Sequence, residues 1–238
     1  MLTVVRTKTG MKSPPARATA AATLLTAVAI GACTGGRAAV QTAPEPTPGG
    51  QTSDEYIAKA QADSIRYPYT AADIHFMSGM ISHHAQAIKM ANWVATHGAS
   101  QSIRTLAGRV INAQQDEIVI MQQWLRDRRQ PVPEPSPTGM KMIMNGVEHE
   151  MLMPGMLTKE QMEQLDKSRG PEFDRLFLTF MIQHHQGAVD MVKTLFETGG
   201  AGQDEIVFKL ASDVNVDQIT EIARMEKMLA ALMKAPPS

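Results

Sequence analysis

The sequence predicts an all-α protein, a four-helix bundle built from two repeated helical hairpins. Three observations predict it. The stretches "DIHFMSGMISHHAQAIKMA" (73–91) and "DRLFLTFMIQHHQGAVDMV" (174–192) both place inward residues at alternating steps of four and three around a His-His pair, the period of a bundle helix. Downstream of each, "QQDEIVIMQQWL" (114–125) and "QITEIARMEKML" (218–229) repeat a Gln-x-x-Glu-Ile-x-x-Met pattern. No stretch shows sustained period-two alternation, and two related hairpins can bury the apolar faces that neither hides alone.

Taken in order, residues 1–33 read as a signal segment. Arg6, Lys8, Lys12 and Arg17 precede the small-residue apolar run "ATAAATLLTAVAIGA", which ends at Cys33, the single cysteine of the 238-residue chain. That arrangement is a secretory signal, and "IGAC" resembles the lipobox of bacterial lipoproteins, with Cys33 as the lipidated residue. Residues 34–53, rich in Pro, Gly, Thr and Ala, form a flexible tether. Residues 54–128 hold the first hairpin, with "THGAS" as its loop. Residues 129–171 are a connection, broken by four prolines at 131–137, then Met-rich from 140 to 156, then a short helix at 158–168. Residues 172–234 hold the second hairpin, its loop "TGGAGQ"; 54–234 form one domain.

The inward stripes carry unexpected chemistry. On the first His-His helix they are Asp73, Met77, Met80, His84, Ala87 and Ala91, with Phe76, His83 and Met90 on the adjoining face; the second repeats them as Asp174, Leu178, Met181, His185 and Ala188, flanked by Phe177, His184 and Met191. Spacing on the partner helices puts Leu106, Val110, Ala113, Glu117, Met121 and Trp124 inward on one, and Leu210, Val214, Asp217, Glu221, Met225 and Met228 on the other. Imidazoles and carboxylates on apolar stripes need partners, because burying them bare costs several kcal/mol. They could satisfy each other as a polar cluster. Adjacent pairs, repeated, each with a methionine three and four residues upstream, point instead to a metal site.

Met80 stands one turn before His83 and His84, Met181 one turn before His184 and His185, and Met90 and Met191 two turns beyond on the same faces. Thioether with imidazole is a soft donor set, suited to Cu(I) and Ag(I); Mg²⁺ or Ca²⁺ would require oxygens. The segment "MKMIMNGVEHEMLMPGM" (140–156) adds Met153, Met156 and His149 as candidate ligands. It reads as a flexible soft-metal loop rather than an apolar lid. Glu117 and Glu221 complete the candidate set. His75 and His97, near helix ends, read as surface or capping residues, and Asp73 and Asp174 as N-terminal helix charges.

The doubled F-M-x-x-M-I-x-H-H type stretch, the Gln-x-x-Glu-Ile-x-x-Met stretch and "MPGMLTKEQMEQL" followed by "FDRLF" resemble the domain-of-unknown-function 305 family over residues 54–233. That resemblance implies a ferritin-like four-helix protein of the bacterial envelope, secreted or lipid-anchored, and copper or silver binding at His83, His84, His184, His185, Met80 and Met181. Leu178 replaces the methionine found at 77, so the halves are not equivalent.

Composition narrows the alternatives. Loss of residues 1–32 leaves 19 basic against 24 acidic residues, a net charge of −5, and no basic stripe for nucleic acid. The expectation is therefore a membrane-anchored Cu(I)/Ag(I)-binding protein acting in sequestration or transfer, its partners the ion, the membrane and a copper donor or acceptor protein. The alternative is a di-iron or di-manganese redox bundle. It lacks the Glu-x-x-His pairs and carboxylate count of such sites. A metal-free module with a pH-sensitive histidine core leaves the methionines without a role.

Overall fold

Six helices and one small hairpin make up the computed structural model, which describes residues 53–66, 69–144 and 146–234. The signal segment, Cys33 and the tether up to residue 52 lie outside the described residues. Helix α1 (Ser53–Arg66) is followed by α2 (Ala71–Trp93), α3 (Gln101–Asp127), strands β1 (Met140–Met144) and β2 (Val147–Met151), α4 (Lys159–Lys167), α5 (Gly170–Glu197) and α6 (Glu205–Lys234). The two expected hairpins are α2–α3 and α5–α6, and α4 is the expected short helix. Helix α1 was not foreseen, and Ser53, expected in the tether, opens it. Helix α5 starts inside the expected connection, with Pro171 in its first turn, where its missing N–H costs nothing.

Each hairpin is fastened by an aspartate from the other. Thr70 and Asp73 form a capping box at the start of α2, the Thr70 N–H donating to Asp73 Oδ2 at 2.6 Å. Asp73 Oδ1 accepts the Gly202 N–H at 2.7 Å, in the loop beyond α5. In the pseudo-symmetric position, Asp174 near the start of α5 accepts the Ser100 N–H, in the loop beyond α2, at 3.1 and 3.2 Å. Helices α2 and α5 are therefore antiparallel. The expected helix-end role holds for Asp73, with a tertiary tie added; Asp174 lies beyond the first turn of its own helix and meets the start of α3 instead. Asp73→Ala leaves the Thr70 hydroxyl cap in place but removes the carboxylate that accepts the Thr70 N–H, the Thr70 hydroxyl and the Gly202 N–H at a fully buried site. The expected cost is about 3 kcal/mol by urea unfolding; a change below about 1 kcal/mol would contradict this account.

Asp204 does similar work at the other hairpin. It accepts the Ile206 and Val207 N–H groups at the start of α6 and the Trp124 indole N–H at 3.0 Å, and pairs with Arg128 at 2.5 Å. His97, expected at the surface, is buried: Nε2 lies 2.9 Å from the Asp166 carbonyl and its ring packs 5.0 Å from Phe173. It joins the α2–α3 loop to α4. His75 is exposed, as expected.

The stripe on α2 is buried from Asp73 to Ala91, and that on α5 from Asp174 to Ala188. The stripes on α3 and α6 need correction at mid-length. Ala113 and Asp217 are exposed and Glu117 and Glu221 only half-buried, while Gln114 and Gln218 are buried. Mid-helix, α3 and α6 pack on their own hairpin partners, so residues aimed at the bundle axis border a cleft between the two helices.

The Met-rich segment is ordered, contrary to the expected flexible loop. Strands β1 and β2 pair antiparallel with Met144 opposite Val147, and Gly146 has φ +79°. Asn-Gly between apolar residues is a strong hairpin signal. After β2, Met153, Met156 and Leu157 bury against the bundle as a lid.

Candidate metal centre

Where α2 and α5 cross, four histidines are fully buried. His83 and His184, one from each helix, lie ring to ring with centroids 3.8 Å apart. His84 and His185 flank them at 6.2 and 6.3 Å from their neighbours. Antiparallel crossing places Met80, Met191, Met153 and Met156 in one apolar cluster, and Met181 and Met90 in the other, all buried. The single lid serves one side, which breaks the pseudo-twofold symmetry more strongly than Leu178 does.

Two glycines admit the lid. A Cβ on Gly79 of α2 would meet Met153 Cε at 3.0 Å and Sδ at 3.2 Å. On Gly187 of α5 it would overlap the Pro154 carbonyl and Gly155 outright. Glycine inside a helix costs up to about 1 kcal/mol relative to alanine, so both positions serve close approach. Gln86 fixes the lid's far end: its Oε1 accepts the Leu157 N–H at 2.6 Å, and its Nε2 donates to the Leu157 and Pro137 carbonyls at 3.1 and 3.0 Å. Sequence reasoning missed Gly79, Gly187 and Gln86; the available signal was glycine in the middle of two long helices.

The ring nitrogens divide by function. His83 Nε2 lies 3.0 Å from the Pro154 carbonyl, an acceptor only, so Nε2 carries the proton and Nδ1 the lone pair. His185 Nε2 lies 2.7 Å from Glu221 Oε2, an acceptor, so Nε2 donates there. His84 Nε2 approaches Glu117 Oε2 to 2.6 Å, off the line of a ring N–H. Nδ1 of all four histidines and Nε2 of His184 are buried without a hydrogen-bond partner among protein atoms. An imidazole held by a carboxylate or carbonyl at one nitrogen, with the other bare, is how metal-ligating histidines are oriented. Among the described residues no three His, Cys, Asp or Glu side chains converge as a site. His149 is exposed on β2 opposite Met142, outside the histidine cluster.

Burial, then the neighbouring His84, holds the His83 pKa well below 6.5; burial, then His83 and His185, does the same for His184. Below pH 6.5 the unfolded chain therefore takes up protons that the folded one refuses. Stability is fully present above that pH and falls as pH drops, by about 1.4 kcal/mol per pH unit for each such histidine. Urea unfolding of the metal-free protein should show this loss between pH 6.5 and 5.5, reduced when both are leucine. A flat profile would contradict the buried neutral state.

Glu117, Asp217 and Glu221 line the cleft between α3 and α6, with Gln114 and Gln218 beside them. Burial, then Glu117 and Glu221, raises the Asp217 pKa, so the three carboxylates share one negative field.

Solved structures of similar fold are known. A secreted protein from Streptomyces coelicolor described as DUF305 is 28% identical, with a TM-score of 0.56 over 70% of this chain and 96% of its own. A DUF305 fragment from Deinococcus radiodurans, also 28% identical, gives 0.57 over 69% and 99%. CopM, solved in Cu(I)-bound and Cu(II)-bound forms, is 27% identical, with a TM-score of 0.51 over 67% and 96%. An uncharacterised protein of Acanthamoeba polyphaga mimivirus is 37% identical over 66 residues, 28% of this chain, which spans 43% of that relative. Residues 73–229 match the model of the domain of unknown function, DUF305, and the chain belongs to that family.

Proposed function

We propose that this protein binds Cu(I) at the crossing of α2 and α5, to sequester or transfer it in the cell envelope. The carrying observation is the set of buried imidazole nitrogens left without partners inside a thioether-rich core. Each bare buried polar atom costs about 1–3 kcal/mol, a cost that a ligand would offset. Soft sulfur and neutral nitrogen favour a monovalent soft ion over a hard one. CopM, of similar fold and bound to copper, supports the reading.

In this reading His83, His84, His184 and His185 supply nitrogen, and Met80, Met181, Met153 and Met156 sulfur, with Met90 and Met191 behind them. Glu117 and Glu221 orient imidazoles rather than bind the ion, which disfavours the di-iron alternative. The signal-like segment supports an extracytoplasmic location, as does the secreted relative. Among the described residues no helix is long and apolar enough to cross a membrane; attachment would rest on a lipid at Cys33. Titration of residues 34–238 with Cu(I) against a competing chelator, with iron and zinc as controls, tests the proposal. Tight Cu(I) binding supports it, and stoichiometric iron with no copper overturns it.

A further inference from the structure

The lid closes one approach to the histidines through the Pro154 carbonyl and the backbone contact at Gly187. On another, Glu117 and Glu221 each touch a buried histidine and also line the α3–α6 cleft, about 230 Å³ in volume. Asp217 adds a third carboxylate, and exposed Arg109 and Arg224 also line it, leaving one net negative charge by this count. Two buried amides point to a ligand there. Gln114 and Gln218, pseudo-symmetric and 2% and 3% exposed, line the cleft, and the Oε1 of each lacks a hydrogen-bond donor. A buried carbonyl oxygen without a donor calls for a cation or an ordered water.

We propose that the α3–α6 cleft is the port through which the cation reaches the histidines, held in passing by Glu117, Asp217, Glu221 and the amide oxygens of Gln114 and Gln218. This rests on the copper reading above. Oxygen donors suit a waiting site because they hold a soft ion weakly, and nitrogen and sulfur below bind it more strongly. The Glu117–His84 and Glu221–His185 contacts form the floor between the two. Negative charge in a narrow cleft raises local cation concentration and on-rate.

The test is stopped-flow loading of the full chain with Cu(I) from a chelator, with equilibrium affinity measured in parallel. Asp217 is exposed, so its variants should fold. Asp217→Asn should slow loading about threefold and Asp217→Lys at least tenfold, within the range of electrostatic steering, with equilibrium affinity within about twofold. Gln114→Leu with Gln218→Leu should also slow loading, at unchanged helicity. Wild-type binding with unaltered loading rates in all three variants would overturn the port and leave the copper site standing. No Cu(I) binding by the wild type would overturn both.

Discussion

Replacing His184 by leucine is expected to lower Cu(I) affinity by on the order of 10³-fold, about 4 kcal/mol, while raising the stability of the metal-free protein. Both ring nitrogens of His184 are buried without a partner of good hydrogen-bond geometry, so a similar-sized apolar side chain removes two poorly satisfied atoms. A gain of about 1–3 kcal/mol follows from the desolvation of such groups. The opposite signs separate the two meanings of a buried histidine. A structural imidazole would lose stability on replacement and have no effect on copper; a ligand held at a cost to the fold does the reverse. Isothermal denaturation beside chelator competition reads both. A destabilised His184→Leu protein with unchanged copper affinity would contradict the proposed site.

Gly187→Val is expected to lift the lid. A Cβ there overlaps Pro154 and Gly155, and overpacking of this kind costs about 1–3 kcal/mol. Moving a short loop is the cheaper release than parting α2 from α5. Met153 and Met156 would then become exposed, and Cu(I) affinity should fall about 10–100-fold, the scale of losing support around a metal site. Peroxide oxidation mapped by mass spectrometry should show Met153 and Met156 modified faster, with circular dichroism unchanged. Equal oxidation rates in variant and wild type would place the lid's hold elsewhere.

The helices of both hairpins were legible because period and motif agree, and the His-His pairs fall on the buried faces where spacing put them. The lid was not legible: whether Met153 and Met156 are loose or buried depends on Gly79, Gly187 and Gln86, distant in sequence and close only in space. Counting a strict stripe along α3 and α6 placed Ala113 and Asp217 inward, because it assumed four helices meeting at one axis. Helices α2 and α5 contact each other directly, and the faces of α3 and α6 that would have met instead border the cleft. The β-hairpin was announced by Asn145-Gly146, a local signal outweighed by the methionine content around it. His97 looked like a loop residue, and only the packing of α4 buries it.

The central claim is that buried imidazole nitrogen and methionine sulfur together hold copper. X-ray absorption at the copper edge of the Cu(I)-loaded protein tests it most directly. The account predicts a Cu(I) edge with a mixed shell of nitrogen near 2.0 Å and sulfur near 2.3 Å (roughly the lengths for imidazole and sulfur ligands on a similar ion), with sulfur scattering reduced when Met80 and Met181 are replaced by leucine. A shell of oxygen and nitrogen alone, unchanged in that variant, would contradict it.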